Sequence, residues 1–171
     1  MPALHVCPLS RLAETVAAVR ASHVLTLINA ATPVPRPDGI GPEQHLFIGV
    51  SDIIEAMDGH ILPGEEHARQ VIGFVRGWDR ARPMVVHCYA GISRSTAAAY
   101  IGLCALRPDL DELLLAERLR QAAPSATPNA RLVAAADKLL GRRGRMSEAV
   151  AAIGRGVDAF EGTPFALPLD R

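Results

Sequence analysis

Nine consecutive residues, His87 to Ser95, combine a thiol, a glycine and a guanidinium group at short spacing. Cys88 can act as a nucleophile once its thiol is ionised. Gly91 lets the backbone turn tightly without a side-chain clash. Arg94 offers a planar pair of N–H donors that matches two oxygens of an anion such as phosphate. These residue types therefore predict nucleophilic attack on a bound anion.

The flanking segments predict where this loop lies in the fold. Pro83 to His87 is a short apolar stretch that indicates a buried strand, and Gly91 to Leu106 begins as a turn and continues as an almost wholly apolar helix. The first amides of a helix have no acceptor within the helix, and the helix dipole is positive at that end. A loop that enters such a helix is therefore expected to bind an anion and to favour the thiolate form of Cys88.

The pattern His-Cys, five residues, Arg-Ser, with glycine three residues after the cysteine, resembles the signature of the cysteine-based protein tyrosine phosphatases. The valine-rich strand before His87, the run from Gly91 to Ser95 and the later pair Pro128-Asn129 are similar to the compact dual-specificity branch of that superfamily. The resemblance covers roughly residues 23–140 and does not extend to the N-terminal edge or to the tail after Gly141.

This resemblance implies a phosphate-monoester hydrolase, either a protein tyrosine phosphatase or a dual-specificity phosphatase, that acts through a phosphocysteine intermediate on Cys88. Ser95 would donate a hydrogen bond to the cysteine sulfur, and His87 would support the loop from behind. The phosphoryl group would be bound by Tyr89, Ala90, Gly91, Ile92, Ser93 and Arg94. The implied reaction uses no cofactor and no metal ion.

The same family uses an aspartate on a separate loop as general acid, some thirty residues before the cysteine and just after a strand. Asp52 directly follows a predicted strand and is the favoured candidate, although its separation from Cys88 is a few residues longer than the family pattern. Asp58 has a closer separation but lies in a turn-forming stretch. Glu55 is a third candidate, and the three stay open.

Predicted strands and helices alternate along the rest of the chain. We expect strands at 4–7, 23–28, 45–50 and 83–87, a proline-rich loop at 30–44, and helices at 9–20, 65–80, 91–106, 110–122, 128–140 and 147–154. This order predicts an α/β fold: a central, mostly parallel twisted sheet of four to five strands with helices on both faces. The phosphatase-type loop then lies between a central strand and a helix.

The chain is expected to form one phosphatase domain over residues 1–171, in which residues 141–171 supply a C-terminal helix and a docking tail. The strand at 4–7 is expected at a sheet edge, and residues 160–169 are expected to be irregular. Ser10 and Thr127 are the predicted helix caps, the latter followed by a first-turn proline. Three arginines, at 142, 143 and 145, are interpreted as a solvated basic turn.

Overall charge and composition limit the possible partners. The 171 residues contain 18 basic and 18 acidic side chains, so neither nucleic acid nor a membrane surface is an expected partner. No apolar run is long enough to span a bilayer, no secretory signal is recognised, and three cysteines are too few for a disulfide framework. We expect a cytoplasmic protein that acts on a phosphorylated protein or a small phosphate ester. The oligomeric state is not predicted.

Two other functions stay open on the sequence. The chain could be a catalytically weak or inactive phosphopeptide-binding pseudophosphatase, an interpretation that draws support from the uncertain general acid. It could also be a phosphatase for a non-protein phosphate ester. The uncharged side chains at Tyr89, Ala90, Ile92 and Ser93 argue against a highly anionic substrate.

Overall fold

A computed structural model describes residues 1–170 and shows a five-stranded sheet flanked by helices. The strands, in chain order, are β1 (Ala3–Pro8), β2 (His23–Ile28), β3 (His45–Gly49), β4 (Met84–Cys88) and β5 (Phe165–Pro168). Their order across the sheet is β3-β2-β4-β1-β5. The first four are parallel, and β5 is antiparallel to β1. The predicted mostly parallel sheet is confirmed.

Six α-helices within residues 1–170 connect and cover these strands. They are α1 (Leu12–Val19), α2 (Glu65–Gly77), α3 (Arg94–Leu106), α4 (Glu112–Ala122), α5 (Ala130–Leu139) and α6 (Arg145–Ile153). No helix in this part of the chain is long and apolar enough to cross a membrane. The extent of the domain stays a prediction, and Arg171 lies outside the described residues.

Successive side chains of the central strands point to opposite faces of the sheet. In β4, Met84 and Val86 belong to the larger hydrophobic cluster, which also contains α3, whereas Val85 belongs to a smaller cluster on the other face. Leu12 and Val16 of α1 cover that second face. Both faces are therefore buried, which explains why β4 is continuously apolar rather than alternating.

The prediction that β1 lies at a sheet edge is wrong. Strand β5 pairs with β1 on the side away from β4, in the register His5 to Ala166, so β1 is internal. Residues 160–169 are accordingly not irregular throughout, because four of them form the true edge strand. Pro168 is tolerated there because an edge strand has one side without ladder hydrogen bonds.

Both predicted caps are also wrong. Asn129, rather than Thr127, caps α5, since its side-chain oxygen accepts the Leu132 N–H at 3.0 Å. Ser10 lies in a short 3-10 turn before α1, and its hydroxyl donates to Glu161 instead of capping the helix.

One of the three arginines interpreted as a solvated turn is buried. Arg142 donates from Nη1 to Glu112 Oε1 at 2.7 Å and from Nη2 to the Cys104 carbonyl. Both side chains of the ion pair are less than a tenth exposed. The 141–145 turn is therefore part of the packing between α4 and α6 as well as a solvated connection.

Candidate active site

The predicted reactive loop lies at the carboxyl end of the parallel strands. Strand β4 is buried along its whole length and ends at Cys88, and α3 begins at Arg94, so residues 89–93 form the strand-to-helix connection. Because β4 has β2 and β1 as neighbours, the loop is close to the residues that follow those strands as well. Ligands of parallel α/β sheets bind at this edge.

The Cys88 sulfur is placed among hydrogen-bond donors of its own loop. The Gly91 N–H donates to Sγ at 3.2 Å, and the Ser95 hydroxyl lies 3.1 Å from Sγ. Both contacts favour a thiolate, because a negatively charged sulfur accepts hydrogen bonds more strongly than a thiol. Ser95 is buried in the first turn of α3, so its hydroxyl has little freedom to point elsewhere.

Glycine at position 91 is required by both conformation and space. Its φ of +70° lies in the left-handed region, which side chains disfavour. A Cβ atom at this position would also lie 2.8 Å from the Pro8 nitrogen and 2.9 Å from the Cys7 carbonyl carbon. The loop therefore packs directly against the end of β1, and that contact fixes its position.

The carbonyl groups of the loop are hydrogen-bonded to other parts of the protein. Tyr89 O accepts from Leu9 N at 3.1 Å, Ala90 O from Gly162 N at 2.7 Å, Ile92 O from Thr127 N at 2.9 Å, and Ser93 O from Asn129 N at 3.2 Å. In a trans peptide the N–H points away from the C=O. Carbonyls held on the outside therefore turn the following amides toward the inside of the loop, where they can bind an anion.

Hydrogen bonds from one nitrogen of the guanidinium group hold Arg94 in place. Nη1 donates to Asn29 Oδ1 at 2.8 Å and to the Val50 carbonyl at 3.0 Å. The side chain is buried, and within residues 1–170 its Nε–H has no hydrogen-bond partner. A buried donor without a partner is costly, and an oxyanion in the loop would satisfy it.

His87 is buried behind the loop and is neutral at neutral pH. Its Nδ1 lies 3.3 Å from the Cys88 carbonyl oxygen, which can only accept, so Nδ1 carries the proton. Nε2 then accepts from the Thr26 hydroxyl at 2.7 Å, and Thr26 in turn accepts from His45 Nε2 at 2.8 Å. Burial lowers the pKa of His87 to about 4. His87 therefore positions the end of β4 without contributing a positive charge.

The structure separates the three candidates for the general acid. Asp52 Oδ1 accepts from the Ser93 hydroxyl at 2.7 Å and from Asn129 Nδ2 at 3.0 Å, which places this carboxylate beside the loop. All three carboxylates belong to exposed residues, but in the described part of the chain neither Glu55 nor Asp58 is hydrogen-bonded to residues 87–95. The geometry thus brings Asp52 to the reactive loop and gives neither of the other two a hydrogen bond to it.

Four residues of the site are not predicted by the sequence reasoning. They are Thr26, Asn29, His45 and Asn129 in its role as a partner of Asp52. Two signals could have identified some of them: Thr26 is a polar residue inside an apolar strand, and Asn29 directly follows that strand at the ligand-binding edge. The described residues contain no group of three His, Cys, Asp or Glu side chains that could hold a metal ion.

Comparison with known proteins identifies the fold. No family model matches the chain, and no curated protein matches it in sequence. Solved structures do match it. DUSP15 is 19% identical with a TM-score of 0.66, covering 89% of this chain and 92% of that chain. Human DUSP28 is 20% identical with a TM-score of 0.58, covering 88% and 95%.

A third match is the human tyrosine phosphatase-like serine/threonine/tyrosine-interacting protein, 14% identical with a TM-score of 0.63, covering 83% of this chain and 97% of that chain. These identities are low, so the matches describe architecture. They confirm the predicted resemblance at the level of the fold. The chain has the fold of the cysteine-based phosphatases, in the form shared by the compact dual-specificity enzymes.

Proposed function

We propose that this protein is a phosphate-monoester hydrolase that acts through a phosphocysteine intermediate on Cys88. The main support for the proposal is the position of Cys88 Sγ, which accepts a hydrogen bond from the Gly91 N–H and lies beside the Ser95 hydroxyl. Arg94, with a buried N–H that lacks a partner within residues 1–170, starts the helix that follows. A nucleophile and an anion-binding loop thus occupy the same few residues.

In the first step, the Cys88 thiolate attacks phosphorus, so that a P–S bond forms as the P–O bond to the leaving group breaks. Arg94 and the loop amides bind the equatorial oxygens of the phosphoryl group and offset their charge. Asp52, in its protonated form, gives its proton to the leaving oxygen. The hydrogen bonds that Asp52 accepts from Ser93 and Asn129 hold its carboxyl group at the loop.

In the second step, water attacks the phosphocysteine, and the Asp52 carboxylate accepts a proton from that water. The P–S bond breaks and the sulfur leaves as a thiolate. Ser95, whose oxygen is 3.1 Å from Sγ, donates its proton in a hydrogen bond to the departing sulfur and so stabilises its charge. Inorganic phosphate is released, and the enzyme returns to its starting state.

A phosphorylated protein is the substrate that the surroundings of the loop favour. Arg94 is the single Lys or Arg in residues 51–61 and 88–95, whereas the first of these segments carries three carboxylates. The same two segments also expose apolar side chains, at Ile54, Met57, Ile61 and Tyr89. This combination suits a peptide around a phosphorylated residue and disfavours highly anionic phosphate esters, which need several basic side chains.

A phosphate-binding protein with little turnover is the second candidate. The hydroxyl of Ser93 and the amide of Asn129 both donate to Oδ1 of Asp52, so this oxygen is already engaged in contacts within the protein. One of the solved structures with this fold is itself described as phosphatase-like. Turnover measurements separate this candidate from the first.

The test is hydrolysis of a generic aryl phosphate by the purified protein in the presence of a metal chelator. Wild type should release phosphate, and Cys88→Ser should lower kcat by at least about 1,000-fold. Cys104→Ala is the matched control, since Cys104 is buried in α3 and plays no part in the reaction. Equal turnover by Cys88→Ser would contradict the assignment. Tight phosphopeptide binding without phosphate release would favour the second candidate.

A further inference from the structure

The segment formed by residues 154–162 lies outside the region whose sequence resembles the phosphatase family, and it contacts the loop directly. One end is held by Arg120, whose Nη2 donates to the Gly154 carbonyl at 2.7 Å. The middle is held by the Gly156 N–H, which donates to Thr127 Oγ1 at 3.1 Å. At the other end, the Gly162 N–H donates to the Ala90 carbonyl at 2.7 Å.

Two glycines of this segment lie so close to neighbouring backbone that a side chain would not fit. A Cβ at Gly156 would lie 2.5 Å from the Ser125 carbonyl carbon, and a Cβ at Gly162 would lie 2.7 Å from the Gly91 carbonyl oxygen. Neither glycine is among those with positive φ, so backbone conformation does not explain them. At Gly162 the segment therefore approaches the loop backbone, and at Gly156 the backbone of residues 125–126, more closely than a residue with a side chain would allow.

The hydrogen bond from Gly162 falls on a peptide unit that also contacts the nucleophile. The Ala90 carbonyl and the Gly91 N–H belong to the same planar group, and they point in opposite directions. On the outside the carbonyl accepts from Gly162 at 2.7 Å, and on the inside the N–H donates to Cys88 Sγ at 3.2 Å. Fixing the direction of the carbonyl therefore fixes the direction of the N–H.

A hydrogen bond accepted by a carbonyl also polarises its peptide group, so the N–H of that group becomes a stronger donor. We propose that Gly162 is a positioning residue, whose N–H holds the Ala90–Gly91 peptide so that the Gly91 N–H stabilises the Cys88 thiolate. This proposal extends the proposed function and rests on it, because it takes Cys88 as the nucleophile. It gives the 154–162 segment a role in the chemistry of the loop in addition to its packing.

The test compares wild type with Gly162→Ala by the rate at which iodoacetate alkylates Cys88 between pH 5 and pH 9, followed by peptide mass spectrometry. The added methyl group separates the Gly162 amide from Ala90, so the midpoint of the alkylation profile should rise by about half a pH unit to one unit. Burial raises the pKa of Cys7 to about 11 and that of Cys104 to about 12, which leaves Cys88 as the labelled thiol.

Phe160→Ala is the matched control, because Phe160 belongs to the same segment and its side chain is 94% exposed. Its alkylation midpoint should equal that of wild type. A midpoint for Gly162→Ala that also equals wild type, in a folded protein, would overturn the proposal. Alkylation of Cys88 does not require turnover. If the midpoint shifts in a protein that does not hydrolyse phosphate esters, the result contradicts the proposed function but supports the role of Gly162.

A second measurement on the wild type covers the case in which Gly162→Ala fails to fold. Amide hydrogen exchange followed by NMR should show the Gly162 N–H protected, since it is buried and donates to Ala90. Exchange of this amide at the rate of an exposed amide would overturn the proposal. The amide of Phe160, a residue that is 94% exposed, provides the internal reference for that rate.

Discussion

At the scale of single residues, the reactive groups are held by partners that are distant in sequence. Arg94 is bonded to Asn29 after β2 and to Val50 after β3, and Asp52 is bonded to Asn129 before α5. The sequence predicts Cys88 and Arg94 because their spacing within one loop carries the chemistry. It does not predict Asn29, because only the parallel pairing of the strands brings that residue to the same edge.

His87 gives the protein a defined loss of stability in acid. The unfolded histidine binds a proton near pH 6.5, whereas burial lowers the pKa of the folded His87 to about 4. Between these values the unfolded state binds more protons, so the stabilisation present above pH 6.5 is lost as the pH falls toward 4. The loss is about 3 kcal/mol in the free energy of unfolding.

Urea unfolding at pH 7 and pH 4 checks this prediction, with His87→Asn as the comparison, since asparagine does not titrate and keeps an N–H donor. The free energy of unfolding of wild type should fall by about 3 kcal/mol more than that of the variant. The half-buried histidines at positions 5, 23 and 67 also have lowered pKa values, and they contribute equally to both proteins because none of them is hydrogen-bonded to His87 or Thr26. Identical losses would contradict the role given to His87.

At the scale of elements, the loop after β3 and the cap of α5 act together. Ser51 and Ile61 exchange two hydrogen bonds that close the loop between them, the Ile61 N–H donating to Ser51 Oγ at 3.1 Å and the Ser51 N–H to the Ile61 carbonyl at 2.9 Å. Asn129 both caps α5 and donates to Asp52. Asn129 therefore caps the start of one element and positions a carboxylate on another.

This arrangement predicts which carboxylate is the general acid. Asp52→Asn should lower kcat for aryl phosphate hydrolysis by about 100-fold and should flatten the limb of the pH profile that depends on the acid. Asp58→Asn should behave as wild type, because Asp58 makes no hydrogen bond to the reactive loop within residues 1–170. A wild-type profile for Asp52→Asn together with a large loss for Asp58→Asn would contradict the assignment.

The sequence predicts the first four strands and all six helices to within a few residues, because apolar periodicity and prolines mark them. It does not predict β5. Four residues that end in Pro168 carry no strand pattern of their own, and β5 exists because β1 offers an unpaired edge from the far end of the chain. The local sequence does not reveal this pairing, so it predicts β1 at the edge of the sheet.

At the scale of the whole molecule, one buried ion pair joins the start of α4 to the turn between α5 and α6. Glu112 lies at the start of α4, and its carboxylate accepts from Arg142 at 2.7 Å and from Arg145 at 3.1 Å. Hydrogen bonds from Arg142 and Arg145 outweigh burial and lower the pKa of Glu112. A pattern of three arginines near a glycine predicts a solvated turn, and only the packing of α4 against α6 shows otherwise.

Removing one partner of this pair should destabilise the protein. Arg142→Ala leaves Glu112 buried with a weaker partner and leaves the Cys104 carbonyl without its donor, so the free energy of unfolding should fall by about 3 kcal/mol. Arg143→Ala is the matched control, because Arg143 is exposed, and should change stability by less than about 0.5 kcal/mol. Thermal unfolding of the two variants measures the difference, and equal midpoints would contradict the structural role of Arg142.

The covalent step on Cys88 is the centre of the proposed reaction, and trapping it is the most direct test. The protein is mixed with an excess of aryl phosphate labelled in its phosphoryl group, denatured in acid within milliseconds, and mapped by peptide mass spectrometry. The account predicts phosphate bound to the peptide that contains Cys88 in wild type, more of it in Ser95→Ala because loss of the donor to sulfur slows the second step, and none in Cys88→Ser. Rapid phosphate release by wild type with no phosphorylated Cys88 peptide in either wild type or Ser95→Ala would contradict it.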